Sequence, residues 1–211
     1  HSRYKSVHFL KRKSDALSKT RDFVKQLNSH LNRGRAEPVK IVGSLHTDNA
    51  GEFLSREFKE FLSEESVTQT TCPPHVHSLN GVAERAIRSI IENARSHMVA
   101  SGCPTSFWPF AVQHAVEVLN RVTGPPNSSV SSFELLQGAK PKLLSLLPFG
   151  CRVVAVRPRN TYSKTNLDPH GMVGINLGLN PSVTRGYNLW SPTRSKVVTT
   201  SDIYYDGTFM P

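Results

Sequence analysis

The chain has 211 residues, 37% of them apolar and 8% aromatic, which is enough to form a core and rules out a disordered polyelectrolyte. Its formal net charge of +10 directs it towards a polyanion, for which nucleic acid is the default candidate. Three widely spaced cysteines, Cys72, Cys103 and Cys151, form no Cys-x-x-Cys pair; they argue against a disulfide framework and suit a reducing, intracellular compartment, and no run is long and apolar enough for a membrane span.

Residues 5–10 (KSVHFL) alternate in the manner of a strand, and Lys11, Arg12 and Lys13 form a basic corner after it. Over residues 14–33, Ala16, Leu17, Phe23, Val24, Leu27 and Leu31 recur at helical spacing and predict an amphipathic helix closed near Gly34. Residues 39–45 read as a buried central strand. It runs into LHTDNAGEF, where Asp48 stands at the strand end and Asn49 and Gly51 supply turn chemistry. Leu54, Phe58, Phe61 and Leu62 predict a second helix, and residues 67–71 (VTQTT) a short strand. The turn-rich CPPHVHSLNG follows; its His75 and His77, a lone His-x-His beside prolines, are a poor metal signal.

The clearest helical period lies over residues 82–101. Ala83, Ile87, Ile90, Ala94 and Met98 share one face, and Glu84, Arg88, Ile91 and Arg95 the adjacent one. Residues 107–122 predict another helix anchored in the core by Phe107 and Trp108, and SSFELLQGAKP a short one stopping at Gly138. From Leu146 the composition changes: CRVVAVRP, GMVGINLGL, GYNLWS and SKVVTTSDIYY are β-rich runs between turn residues. They predict a small antiparallel barrel or sandwich, with Trp190 in its core.

Asp48 closes a predicted strand, and Glu84 opens a predicted helix 36 positions later. Taken alone, Asp48 reads as a capping residue and Glu84 as the i,i+4 partner of Arg88, a pair worth about 0.3–0.5 kcal/mol. Two hard oxygen ligands on different elements also suit Mg²⁺ or Mn²⁺. Phosphoryl transfer on nucleic acid commonly uses two such ions about 4 Å apart.

The flanking words decide between these readings. HTDNAGEF followed by NGVAER resembles the integrase of copia-type (Pseudoviridae-like) retrotransposons. VHFLKRKSDA is similar to the strand and helix that precede that family's second catalytic Asp, and SFWPFAVQHAVEVLNR to its late helix. FELLQGAKPKLLSLLPFGCRVVAV and GYNLWSPTRSKVVTTSDIYYD resemble its post-core segment and Src-homology-3-like barrel, so the likeness covers essentially the whole chain.

The resemblance implies an α/β fold: a ribonuclease-H-like integrase core over 1–124 lacking its first strand or strands, a helical linker over 125–147 and a small all-β barrel over 148–211, all part of a Gag-Pol polyprotein. It implies an Asp-Asp-Glu triad in which Asp48 and Glu84 are catalytic and bind two Mg²⁺ or Mn²⁺ ions. It further implies metal-dependent strand transfer of element DNA into target DNA, with Asn80 and Arg88 as DNA contacts. A homo-oligomer in the nucleus or in a cytoplasmic virus-like particle follows on the same grounds, with no membrane partner.

The first Asp of the triad belongs on the first strand and is expected upstream of His1, as is the family's zinc module. Asp15 and Asp22 fall on the predicted first helix, away from any strand end. Ala50 stands where a second Gly is usual, and Ser78 and Leu79 where a Gln pair is usual. With two of three ligands the segment is expected to be inactive alone. The alternative is a catalytically dead relic or a domesticated nucleic-acid-binding module.

Overall fold

A computed structural model describes residues 2–32, 39–71, 81–156, 170–205 and 207. By internal packing the chain forms two units, His8–Arg85 and His1–Val7 with Ala86–Pro211.

In the first unit, helix α1 (Ala16–Leu31) follows the predicted periodicity and buries Ala16 and Val24. Strands β1 (Ser44–Thr47) and β2 (Thr68–Thr71) pair in parallel, in register from Ser44↔Thr68 to Thr47↔Thr71. Helices α2 (Gly51–Leu54) and α3 (Arg56–Glu64) make the crossover between them. Val24, Phe58, Phe61, Leu62 and Val67 form the core, against which Leu17, Val42, Leu45 and Phe53 pack. The single helix expected over these residues is interrupted at Ser55. Its backbone is extended (ψ 155°), and its side chain accepts the Phe58 N–H at 3.2 Å, which caps α3.

The strand expected over 39–45 begins only at Ser44, and β1 exposes Ser44 and His46 and fully buries only Thr47. Asparagine side chains on and just after α1 occupy the preceding backbone groups. Asn28 Oδ1 accepts the Ile41 N–H at 3.1 Å, and Asn32 accepts from Val39 N–H and donates to Val39 C=O.

In the second unit, the strand expected over 5–10 does not form. The Asn120 amide accepts the Lys5 N–H at 2.8 Å and donates to the Lys5 C=O at 2.7 Å, taking both groups a ladder would have used. Helices α4 (Gly81–Ser101, in this unit from Ala86) and α5 (Trp108–Val122) pack Ala94, Ala111, Val112 and Ala115 with Phe149 and Leu177. The buried stripe of α4 runs through Ile90, Ala94 and Met98; the expected continuation to Ile87 fails, since Ile87 is 61% exposed. Trp108 is also half exposed, and Phe107 and Phe110 take the inward places at the helix start. Trp190 packs on this helical core, 5.3 Å from the Phe107 ring, and does not fill the core of the sheet.

Helix α6 (Ser132–Gln137) ends at Gly138, whose φ of +69° is the left-handed cap expected there. Strands β3 (Arg152–Val156), β4 (Gly171–Leu179), β5 (Tyr187–Ser191), β6 (Lys196–Thr200) and β7 (Ile203–Tyr204) form an antiparallel sheet in the order β6-β5-β4-β3-β7. Cys151, Val153, Ala155, Met172 and Leu189 pack on it. The sheet is open, with β6 and β7 at its edges, and among the described residues it does not close into a barrel.

His97 on α4 and His114 on α5 meet with ring centroids 4.9 Å apart, and His97 Nε2 and His114 Nδ1 are buried without a hydrogen-bond partner. Gly178 (φ +99°) makes room for them: a β-carbon there would lie 3.0 Å from His114 Nδ1. Burial, then the neighbouring His97 and Arg121, lower the His114 pKa to about 4. The unfolded chain therefore binds a proton near pH 6.5 that the folded one refuses. Stability is full above pH 6.5 and falls by about 3 kcal/mol as pH drops towards 4. Denaturant midpoints measured across this range should show that loss, and His114→Gln should flatten it. Burial likewise raises the Cys151 thiol to about 11, whereas Cys103 is half-buried. Mass-spectrometric mapping of alkylation should find Cys103 modified in the native chain and Cys151 modified only on unfolding.

Candidate metal and nucleic-acid site

The parallel ladder ends at the Thr47↔Thr71 pair, and the chain leaves the sheet at Asp48. Leu45 and Thr47 point inward, while His46 points outward and shares a 2.9 Å hydrogen bond with Thr70 Oγ1 directly opposite. Asp48 is exposed, and its Oδ1 accepts the Ala50 N–H at 3.2 Å, closing an Asx turn. The Phe53 N–H then bonds Ala50 C=O at 3.0 Å as α2 begins. Ala50 itself is extended (φ −63°, ψ 140°), so alanine stands there without strain.

Asp48 thus fills the capping role weighed from sequence. One carboxylate oxygen shapes the turn, and no other protein bond holds the side chain among the described residues. A hard, solvent-facing oxygen at the carboxyl end of a strand suits Mg²⁺ or Mn²⁺.

Glu84 lies exposed in the first turn of α4, where the helix dipole favours a negative charge. A β-carbon on Gly81 would sit 3.3 Å from Arg85 Nη1, so the Arg85 guanidinium folds back over the helix start. The ion pairs among the described residues are Lys19–Asp22, Arg21–Glu64, Arg56–Glu60 and Glu117–Arg121. The expected Glu84–Arg88 pair is not one of them. Arg88 is exposed, and Asn80 lies outside the described residues.

Asp15, just before α1, and Asp22 on α1 are engaged locally: Asp15 Oδ2 accepts the Arg12 N–H at 3.1 Å, and Asp22 pairs with Lys19 at 3.8 Å. Among the described residues, no three His, Cys, Asp or Glu side chains gather as a metal cage. No described helix is long and apolar enough to cross a membrane. A cavity of about 760 Å³ lies in the other unit, lined in part by Tyr4, Arg121, Lys142 and Arg185. Its one carboxylate, Glu117, is already paired with Arg121, so the strand-end carboxylate remains the better candidate for chemistry.

Gln69 on β2 belongs to none of the motifs in the sequence. It extends the inward face begun by Val67, and its Nε2 donates to Thr47 Oγ1 at 3.0 Å and to Phe53 C=O at 2.9 Å. The available signal was an amide at an apolar position of the VTQTT alternation.

No protein-family model matches the chain. It is 34% identical over 169 residues to the retrovirus-related Pol polyprotein from transposon TNT 1-94 of Nicotiana tabacum, a match covering 80% of this chain and 12% of that protein. The corresponding protein from transposon RE2 of Arabidopsis thaliana is 34% identical over 122 residues, covering 57% and 8% of the two chains. The transposon Ty1-LR3 Gag-Pol polyprotein of Saccharomyces cerevisiae is 31% identical over 163 residues, covering 75% and 9%. The chain therefore spans about a tenth of the length of these relatives.

Among solved structures, it is similar to the HTLV-2 integrase catalytic core domain in complex with magnesium (trimeric form), with 20% identity and a TM-score of 0.41 over 58% of this chain and 68% of that one. It is also similar to a chain of the simian T-cell lymphotropic virus intasome in complex with a PP2A regulatory subunit, with 17% identity and a TM-score of 0.49 over 94% and 66%.

Asp48→Asn keeps the oxygen that accepts from Ala50 and removes only the charge. It should leave the denaturant midpoint within about 0.5 kcal/mol of wild type, which separates any functional loss from misfolding.

Proposed function

Belonging to the Pol polyprotein family of copia-type and Ty1 retrotransposons, this chain is, we propose, the integrase segment of such a polyprotein, and it serves the joining of element DNA to target DNA. The observation that carries the reading is the Asp48 carboxylate, delivered to solvent at the end of β1 in the same unit as the exposed Glu84 of α4. In this proposal both are ligands of Mg²⁺ or Mn²⁺ and both are catalytic. The remaining carboxylate of the triad comes from an earlier part of the polyprotein.

When bound, the metal pair lowers the cost of the attacking DNA 3′-hydroxyl and of charge at the target phosphodiester. The protein's own contribution is to hold two carboxylates in place and to bring the DNA to them, since in-line phosphoryl transfer needs positioning and charge neutralisation and no covalent protein intermediate. Arg88 and Asn80 contact element DNA, and the net charge of +10 supplies the general attraction to phosphate. The segment is organised as a ribonuclease-H-like core over 1–124, a linker over 125–147 and a Src-homology-3-like module over 148–211, and it works as a homo-oligomer on DNA.

In integrase prepared from the full polyprotein, Asp48→Asn and Glu84→Gln should each abolish strand transfer on oligonucleotide substrates. DNA affinity should stay within a few-fold of wild type. Wild-type turnover in either variant would overturn the assignment. Arg88→Ala should weaken DNA binding and lower the slope of log affinity against log salt by about 1, as for one lost phosphate contact.

A further inference from the structure

We infer that Gln69 is the positioning residue of the Asp48 carboxylate: its amide ties together the two arms of the turn on which Asp48 stands. The inference rests on the metal-binding reading of Asp48 and concerns a residue which that reading leaves unused. The turn leaves β1 at Thr47 and enters α2, and Gln69 Nε2 donates one hydrogen to Thr47 Oγ1 and the other to Phe53 C=O. A primary amide has only two N–H donors on this nitrogen, and both are spent on the turn.

Three features of the fold make this bond set rigid. Gln69 pairs with Leu45 across the parallel ladder, which places Thr47 on the same face, diagonally ahead of it. Thr47 is buried, so its hydroxyl meets the amide away from competing water. Phe53 is held from its other side by its ring, packed edge-on to Phe58 at 5.3 Å. The Asp48 Oδ1–Ala50 bond thus sits inside a loop pinned at both ends, and the direction of the carboxylate follows from the pins. Glutamate here would bring no N–H and would face the Phe53 carbonyl with negative charge. Methionine would keep the volume and lose both bonds.

The test uses the ¹⁵N-labelled chain, with Mn²⁺ as the probe, and compares wild type with Gln69→Glu, Gln69→Met and Asp48→Asn. Two quantities are read: hydrogen exchange of the Ala50 amide, and the Mn²⁺ concentration that half-broadens the Asn49 and Ala50 signals. In both Gln69 variants, Ala50 exchange should accelerate about tenfold, the weight of one or two lost hydrogen bonds. The Mn²⁺ midpoint should rise several-fold, while amides of the α3 core keep their wild-type protection. Wild-type exchange and midpoint in a folded Gln69→Met chain would overturn the inference. If Mn²⁺ broadens nothing near Asp48 in the wild type, or broadens Asp48→Asn equally, the metal reading fails instead. The Ala50 exchange rate still decides whether Gln69 holds the turn.

Discussion

Two four-residue strands, β1 and β2, run parallel, and the geometry of the candidate site follows from that pairing. Parallel neighbours cannot be joined by a hairpin, so the chain must cross over, and α2 and α3 are the crossover. Their apolar side, Phe58, Phe61 and Leu62, closes the core over α1 and the sheet. The same pairing sends both carboxyl ends to one edge of the sheet. Asp48 leaves from one strand there, and the route to α4 and Glu84 leaves from the other. Ligand chemistry in α/β proteins gathers at such an edge because loops meet there while the strands behind them stay fixed.

A second theme is the use of asparagine as a substitute strand. Asn28 and Asn32 bind the backbone of Val39 and Ile41, and Asn120 binds both polar groups of Lys5. Asn176 donates to the carbonyls of Leu147 and Pro148 and accepts from Gly178 N–H. A carboxamide offers the donor and acceptor of a peptide group at the end of a side chain, so each satisfies backbone groups that no ladder partner reaches. Gln69 applies the same chemistry to the Asp48 turn.

These side-chain partners explain what could and could not be read from the sequence. Helices α1, α4 and α5 were legible because their burial repeats with the helical period, and the stop at Gly138 because few other residues adopt its left-handed backbone. The β-rich runs after Leu146 were legible as strands, and the last of them splits into β6 and β7. Residues 5–10 look like a strand because they alternate, and 39–43 because they are β-rich, yet the backbone of Lys5, Val39 and Ile41 bonds to asparagine side chains, and no local pattern announces that. Phe107 and Trp108 are neighbours of similar hydrophobicity, and only packing decides that Phe107 turns inward. At the candidate site, the strand end and the turn at Asp48 were legible from Asn49 and Gly51. Gln69 was not, since its importance lies in two bonds to residues 22 and 16 positions away.

The proposed activity depends on Asp48 and Glu84 holding the same metal. Anomalous diffraction at the manganese edge, from crystals of the chain soaked in Mn²⁺, tests this most directly. The account predicts an anomalous peak at coordination distance from carboxylate oxygens of both residues. A well-occupied Mn²⁺ site that excludes either residue, or crystals saturated in Mn²⁺ with no peak at Asp48, would contradict it.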